Sequence, residues 1–170
     1  MRLKILKKNG GLYEIYTKFE VNTNINETWD FFTNVKNISK IMPKELNFNV
    51  TSKTSKKLYE GEIITFRTKI PHIPLLKTNI ISEIKKISTK QYFIDQQISG
   101  PYKIWHHEHH FKKSKNNTTI ISEKIHYKLY FHPFSRVLHK LFIRRQIARL
   151  FQYRIKKTES ILNCKQLTSS

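Results

Sequence analysis

Cysteine is nearly absent: Cys164 is the one thiol, so no internal disulfide can form. The usage is that expected in a reducing compartment. Glycine is scarce as well, at four residues, and no low-complexity linker interrupts the chain. No run approaches the length of apolar residues a membrane-spanning helix needs. The basic start, MRLKILKKNGG, lacks the apolar stretch of a secretory signal, so a cytoplasmic protein is expected. Acid is the most telling shortage. Twelve Asp and Glu stand against 32 Lys and Arg, a formal charge of +20. Either a polyanionic partner, nucleic acid or an anionic membrane surface, accounts for this, or the composition follows codon bias, since Lys, Asn and Ile are all abundant.

What is present is a core. At 170 residues, 12% of them aromatic, roughly 70% of the unfolded surface can be buried without metal or disulfide. Tyr13, Ile15, Thr17, Phe19 and Val21 alternate with polar residues, the period of a half-buried strand. Asn24, three positions before Glu27, reads as the cap of a short helix carrying Ile25, Trp29 and Phe32. A second short helix follows around Val35, Ile38 and Ile41. From about Leu46 to Phe131 six strands are separated by turn signals, such as Gly100-Pro101 and Asn116-Asn117. After His132-Pro133, Ser135 can cap a long helix with apolar positions at Leu138, Leu141, Phe142, Ile147, Leu150, Phe151, Ile161 and Leu162. The expectation is one α+β domain over 1–170, its core about 12–162 and its termini polar. Seven antiparallel strands would be covered by the C-terminal helix, with two short helices after the first strand.

The richest segment is GPYKIWHHEHHF, residues 100–111. Strand alternation puts Trp105, His107, His109 and Phe111 on one face and His106, Glu108 and His110 on the other. Trp and Phe mark the first face as inward. A hairpin turning at Ser99 to Pro101 sets Asp95 opposite His107 and Phe93 opposite His109. In the next strand Ile121, Glu123, Ile125, Tyr127 and Leu129 point inward, which brings Glu123 close to His109. A stripe of Asp95, Gln97, His107, His109 and Glu123 thus crosses an apolar face. Arg154, one turn from Leu150 on the last helix, can reach an inward carboxylate or extend to water.

Three chemistries suit such a stripe. Two His with a carboxylate could hold zinc or iron, but no further Cys or His stands at ligand spacing, so no metal is assigned. A His–carboxylate pair could act as general base, with His107, His109 and Glu123 as the catalytic candidates. A hydrogen-bonded network could instead fix the polar end of a ligand, or simply hold the core together.

The run FIDQQISGPYKIWHHEHHF, the Glu123-x-Ile125-x-Tyr127 strand, the Leu150-Phe151-Gln152-Tyr153-Arg154 helix segment and the stretch from Thr28-Trp29-Asp30-Phe31 to Ile41-Met42-Pro43 together resemble the START-like, polyketide cyclase/dehydrase superfamily. The resemblance covers about residues 12–162. It implies a helix-grip fold with a cavity between sheet and helix, and an association with lipids, quinones, polyketides and other hydrophobic molecules. Such proteins often carry a Trp soon after the Ile-Pro of the loop between the strands ending near Ile70 and starting near Lys77. Here the stretch is HIPLLKTN, so the identity of a ligand does not carry over. Pro71 to Leu76 reads as a stiff apolar connection, a lid over the cavity, a membrane-touching edge or ordinary core.

The leading expectation is therefore a binder or carrier of a small hydrophobic molecule, without cofactor. Phe66, Phe93, Asp95, Gln97, Trp105, His107, His109, Phe111, Glu123, Tyr127, Phe151 and Arg154 are its candidate ligand residues. A cyclase, dehydratase or hydrolase is the first alternative. A nucleic-acid or ribosome-associated protein using Lys112, Lys113, Lys115 and the basic face of the last helix is the second, although no exposed aromatic platform for bases is read in the strands.

Overall fold

The structure, a computed structural model, describes residues 2–70, 73–131 and 135–164. The strands are β1 (Arg2–Lys7), β2 (Leu12–Val21), β3 (Asn49–Val50), β4 (Ile63–Ile70), β5 (Ile73–Ser88), β6 (Tyr92–Ser99), β7 (Ile104–Lys113) and β8 (Thr119–Lys128). They form one antiparallel sheet in the order β1-β2-β8-β7-β6-β5-β4-β3. Six of these strands lie between Leu46 and Phe131, as the turn signals predict. The expected count of seven becomes eight because the basic start is itself a strand. β1 pairs with β2, and Leu3 and Ile5 pack against the core. Its alternation is broken by Leu6, an apolar residue on an outward position.

Between β2 and β3 the chain leaves the sheet. Asn24 caps α1 (Ile25–Thr33) by accepting from the amides of Asn26 and Glu27. A 3₁₀ turn at Val35–Asn37 leads into α2 (Ile38–Ile41). Trp29 and Phe31 from α1 are buried edge-on among Phe93, Phe111 and other apolar side chains. Because β2 pairs with β8, the sheet's first long strand lies beside its last, and two register shifts within β5 bend the other wing. The result is a curved sheet with one concave face.

That face is filled by the C-terminal helical segment: α3 (Ser135–Leu138), a π-helical turn (His139–Ile143) and α4 (Arg144–Cys164). On α4, Ile147, Phe151, Ile155 and Leu162 are buried, while Arg144, Arg145, Arg149 and Lys156 are exposed. The first part of the segment departs from the expected stripe: Leu138, Leu141 and Phe142 face solvent. The π turn resets the angular phase of the helix, and the buried residue there is His139.

The apolar connection expected at Pro71 to Leu76 is shorter than it reads. Pro71 and His72 lie outside the described residues, and β5 already begins at Ile73. The capping role of Ser135 also concerns a side chain outside them. Among the described residues no helix is long and apolar enough to cross a membrane.

Candidate functional site

Between the concave face, α4 and the α1–α2 segment lies a cavity of about 220 Å³. Most of its wall is apolar. Phe31, Phe32 and Ile38 contribute from the helical side, and Phe66, Ile80 and Ile84 from β4 and β5. One region differs. Asp95 and Gln97 of β6, His107 and His109 of β7, and Arg154 of α4 meet there, with Trp105 and Phe151 beside them.

The register that assembles this end matches the one the inward faces dictate: Asp95 pairs with His107, Phe93 with His109, and Glu123 with His109. The two imidazoles lie against each other, centroids 3.7 Å apart and planes tilted by 33°, between a carboxylate at either edge. On one side Asp95 Oδ2 is 3.0 Å from His109 Nε2 and 3.6 Å from His107 Nδ1. On the other, Glu123 Oε1 is 3.4 Å from His109 Nδ1 and 3.5 Å from His107 Nε2. Arg154 Nη2 donates to the same Glu123 oxygen at 3.3 Å, and Thr17 Oγ1 donates to Oε2 at 3.1 Å. Of the two alternatives for Arg154, the reach to a carboxylate is the one realised.

These contacts divide the charges. Burial works to raise both carboxyl groups, but it is outweighed. The Arg154 guanidinium and the two imidazoles hold Glu123 well below the usual carboxylate range, and His107, His109 and Arg154 hold Asp95 down. For His107 burial dominates, with the charge of His109 adding to it, and its pKa is pushed down to about 4. Burial also works against the charged form of His109, but its hydrogen bonds to Asp95 and Glu123 prevail and the net shift is upward. Two carboxylates thus face one guanidinium and the imidazole that more readily holds a proton. His107 is the neutral partner.

The donor atoms of Asp95, His107 and His109 all lie within 4.8 Å of one another, and every ring nitrogen faces a carboxylate. The arrangement is shaped to share protons and offer hydrogen bonds. Two buried ring nitrogens, His107 Nε2 and His109 Nδ1, face Glu123 at 3.5 and 3.4 Å without a well-aligned hydrogen bond. Arg154 Nε is the buried donor of the cluster left for a ligand's polar group.

Of the candidate ligand residues, Phe66, Phe93, Asp95, Gln97, Trp105, His107, His109, Phe151 and Arg154 border the cavity. Phe111, Glu123 and Tyr127 do not. Phe111 is packed behind Trp29, Glu123 lies beneath the imidazoles, and the Tyr127 hydroxyl bonds to His139 Nε2 at 2.7 Å. Sequence reasoning missed the helical wall, Phe31, Val35 and Ile38, together with Ile64, Ile80 and Ile84. Their periodicity marks them as inward-facing, but whether an inward residue meets another side chain or empty space depends on how far the helices stand off the sheet. The Gly100 turn closes this end. Its φ is +155°, a backbone conformation that residues with a Cβ rarely adopt.

No family model matches the sequence, and no curated protein matches it. Solved structures do match in shape. A protein from Thermus thermophilus aligns with a TM-score of 0.67 at 14% identity, over 92% of this chain and 99% of that one. A START superfamily protein from Mycobacterium smegmatis aligns with a TM-score of 0.63 at 8% identity, over 91% and 98%. Ara h 8.0201 aligns with a TM-score of 0.62 at 6% identity, over 89% and 98%. At such identities the likeness is one of fold, and the fold is the α+β helix grip that the resemblance implies.

Proposed function

We propose that the protein binds and carries a small hydrophobic molecule in the cavity between sheet and C-terminal helix, with the cluster of His107, His109 and Arg154 holding the molecule's polar group. The observation that carries this reading is the asymmetry of the wall: apolar along most of its length, with the polar cluster of Asp95, His107, His109 and Arg154 at one end. A site for an amphiphile needs both parts, because apolar surface provides affinity and a few placed donors set orientation. The carboxylates and imidazoles engage one another, and the donor left over, Arg154 Nε, suits a carbonyl, phenol or carboxylate oxygen.

The test is native mass spectrometry of the purified protein, followed by organic extraction and identification of what is released. A stoichiometric lipid, quinone or polyketide-like compound supports the reading. A protein that arrives empty and takes up none of a panel of long-chain fatty acids, quinones and aromatic polyketides overturns it.

The unequal proton affinities of His107 and His109 favour a second reading, acid–base catalysis on a bound molecule with one ring accepting a proton and the other donating. Turnover of an extracted compound, with a bell-shaped pH–rate profile lost in His107→Gln, would support catalysis over carriage. Binding without turnover across the same pH range leaves the carrier.

A further inference from the structure

We propose that the surface formed by Tyr130, Phe131 and the outward side of the α3–π segment docks on an anionic phospholipid bilayer. Phe131 is 86% exposed, and Val137, Leu138, Leu141 and Phe142 are each more than half exposed. The last four recur at i, i+1, i+4 and i+5, one side of a helical turn. The segment is not free to rotate them inward. His139 pins it, buried with its ring stacked 3.6 Å from that of Tyr13 and bonded to the Tyr127 hydroxyl. An anchored helix that turns its large apolar residues toward water is the inverse of what folding favours.

Phe131 shows the same inversion in its backbone. Its φ is +58°, the left-handed region that a residue with a Cβ enters at a cost. The strain leads an aromatic ring into solvent, so among the described residues neither the conformation nor the side chain is repaid by packing.

Charge says what covers this surface. From Lys124 to Thr158 the sequence has no Asp or Glu. Lys140, Arg144 and Arg145 are exposed alongside the apolar residues. A second copy of the chain would bring these like charges together. Nucleic acid would meet the charge but leave the aliphatic side chains without a purpose. An anionic lipid interface meets both, with apolar groups entering the acyl boundary and cations lying among the headgroups. The surface also adjoins the cavity. The Tyr130 hydroxyl reaches the Gly100 carbonyl at 3.5 Å, and the next two residues of that turn, Pro101 and Tyr102, line the wall. Docking does not depend on what the cavity holds.

The experiment is co-sedimentation of the full chain with vesicles of phosphatidylcholine alone or mixed with phosphatidylglycerol, at low and high salt. Binding is expected to the mixed vesicles only, weakened by salt, since exposed charges are screened. The pair F131N/F142S should weaken it by about tenfold or more, because burial of two aromatic rings is lost. F131N alone should also raise the midpoint of thermal unfolding, because Asn tolerates the left-handed conformation better than Phe. Loss of binding with gain of stability is an outcome that misfolding cannot produce. Failure of the wild type to bind mixed vesicles overturns the proposal. So does equal binding to pure phosphatidylcholine, or binding that F131N/F142S leaves unchanged. Two further results also overturn it: binding to nucleic acid without binding to vesicles, and a dimer in gel filtration that F131N/F142S dissociates.

Discussion

Two places in this protein bury histidine to the same depth and treat it differently. His107 and His109 at the polar end of the cavity are 4% and 5% exposed, and His139 at the start of the C-terminal helix is 5% exposed. His139 has a tyrosine hydroxyl on its Nε2, a tyrosine ring against its face and no carboxylate. Burial, helped by the charge of Arg144, pushes its pKa down to about 4. His107 is pushed equally low despite two nearby carboxylates. His109, a single strand alternation away, is shifted the other way because both carboxylates bond to it. Depth removes the proton, and hydrogen-bonded partners restore it. One region is therefore a neutral anchor. The other is a balanced cluster of charges beside a cavity.

The sharpest way to break the balance is Arg154→Met. It keeps the packing against Phe151 but leaves Glu123 buried without its cation, a loss of about 3 to 5 kcal/mol in denaturant unfolding. Adding Glu123→Gln should recover most of that. If Arg154→Met alone costs less than about 1 kcal/mol, the cluster does not depend on its cation.

Acidification comes next, and it unites the two regions. His107 and His139 have folded pKa values near 4 against about 6.5 when unfolded. The unfolded chain therefore binds their protons first, and stability falls as the pH drops from about 6.5 toward 4, by an order of 3 kcal/mol for each histidine. His109 has the opposite sign. Its raised pKa contributes stability that is complete below about pH 6.5 and lost as the pH rises through its folded value. Stability measured against pH should thus peak near the ordinary histidine pKa. In the double variant Y127F/H139F the acid limb should become shallower, and an unchanged limb would mean that His139 is not held neutral.

At the anchor itself, Tyr127→Phe removes the hydroxyl and orphans His139 Nε2, at about 1 to 3 kcal/mol. Y127F/H139F, which replaces both partners by rings of similar shape, should come close to wild type near neutral pH. The smallest effect is expected on the outward face of β7. His106→Gln and His110→Gln should each stay within about 0.5 kcal/mol, although both residues belong to the same HHEHH run. A larger change in thermal unfolding at either position would break the division of that run into an inward and an outward pair.

That division was legible in the residues. Trp105 and Phe111 bracket the run, strand geometry assigns alternate sides, and the register that follows places Asp95, His107, His109 and Glu123 where the structure has them. Arg154 was legible only as an alternative, since reaching a carboxylate or reaching water depends on how α4 lies over the sheet. Leu138, Leu141 and Phe142 show the limit most clearly. Their hydrophobicity reads as a core stripe, but with the π-helical turn it is His139 that faces inward and those three that face outward.

The sequence by itself determined the strand faces, the order of elements, the antiparallel pairing and hence the inward stripe of histidines and carboxylates. Each follows from a local period and from short turns, and both are written in neighbouring residues. Only the tertiary structure decided that the basic start adds an eighth strand and that the helices stand far enough off the sheet to leave a cavity. It also decided which histidine more readily holds a proton and which apolar residues remain in water. These outcomes depend on distances between segments far apart in the chain, where a few ångströms separate a filled core from an open site.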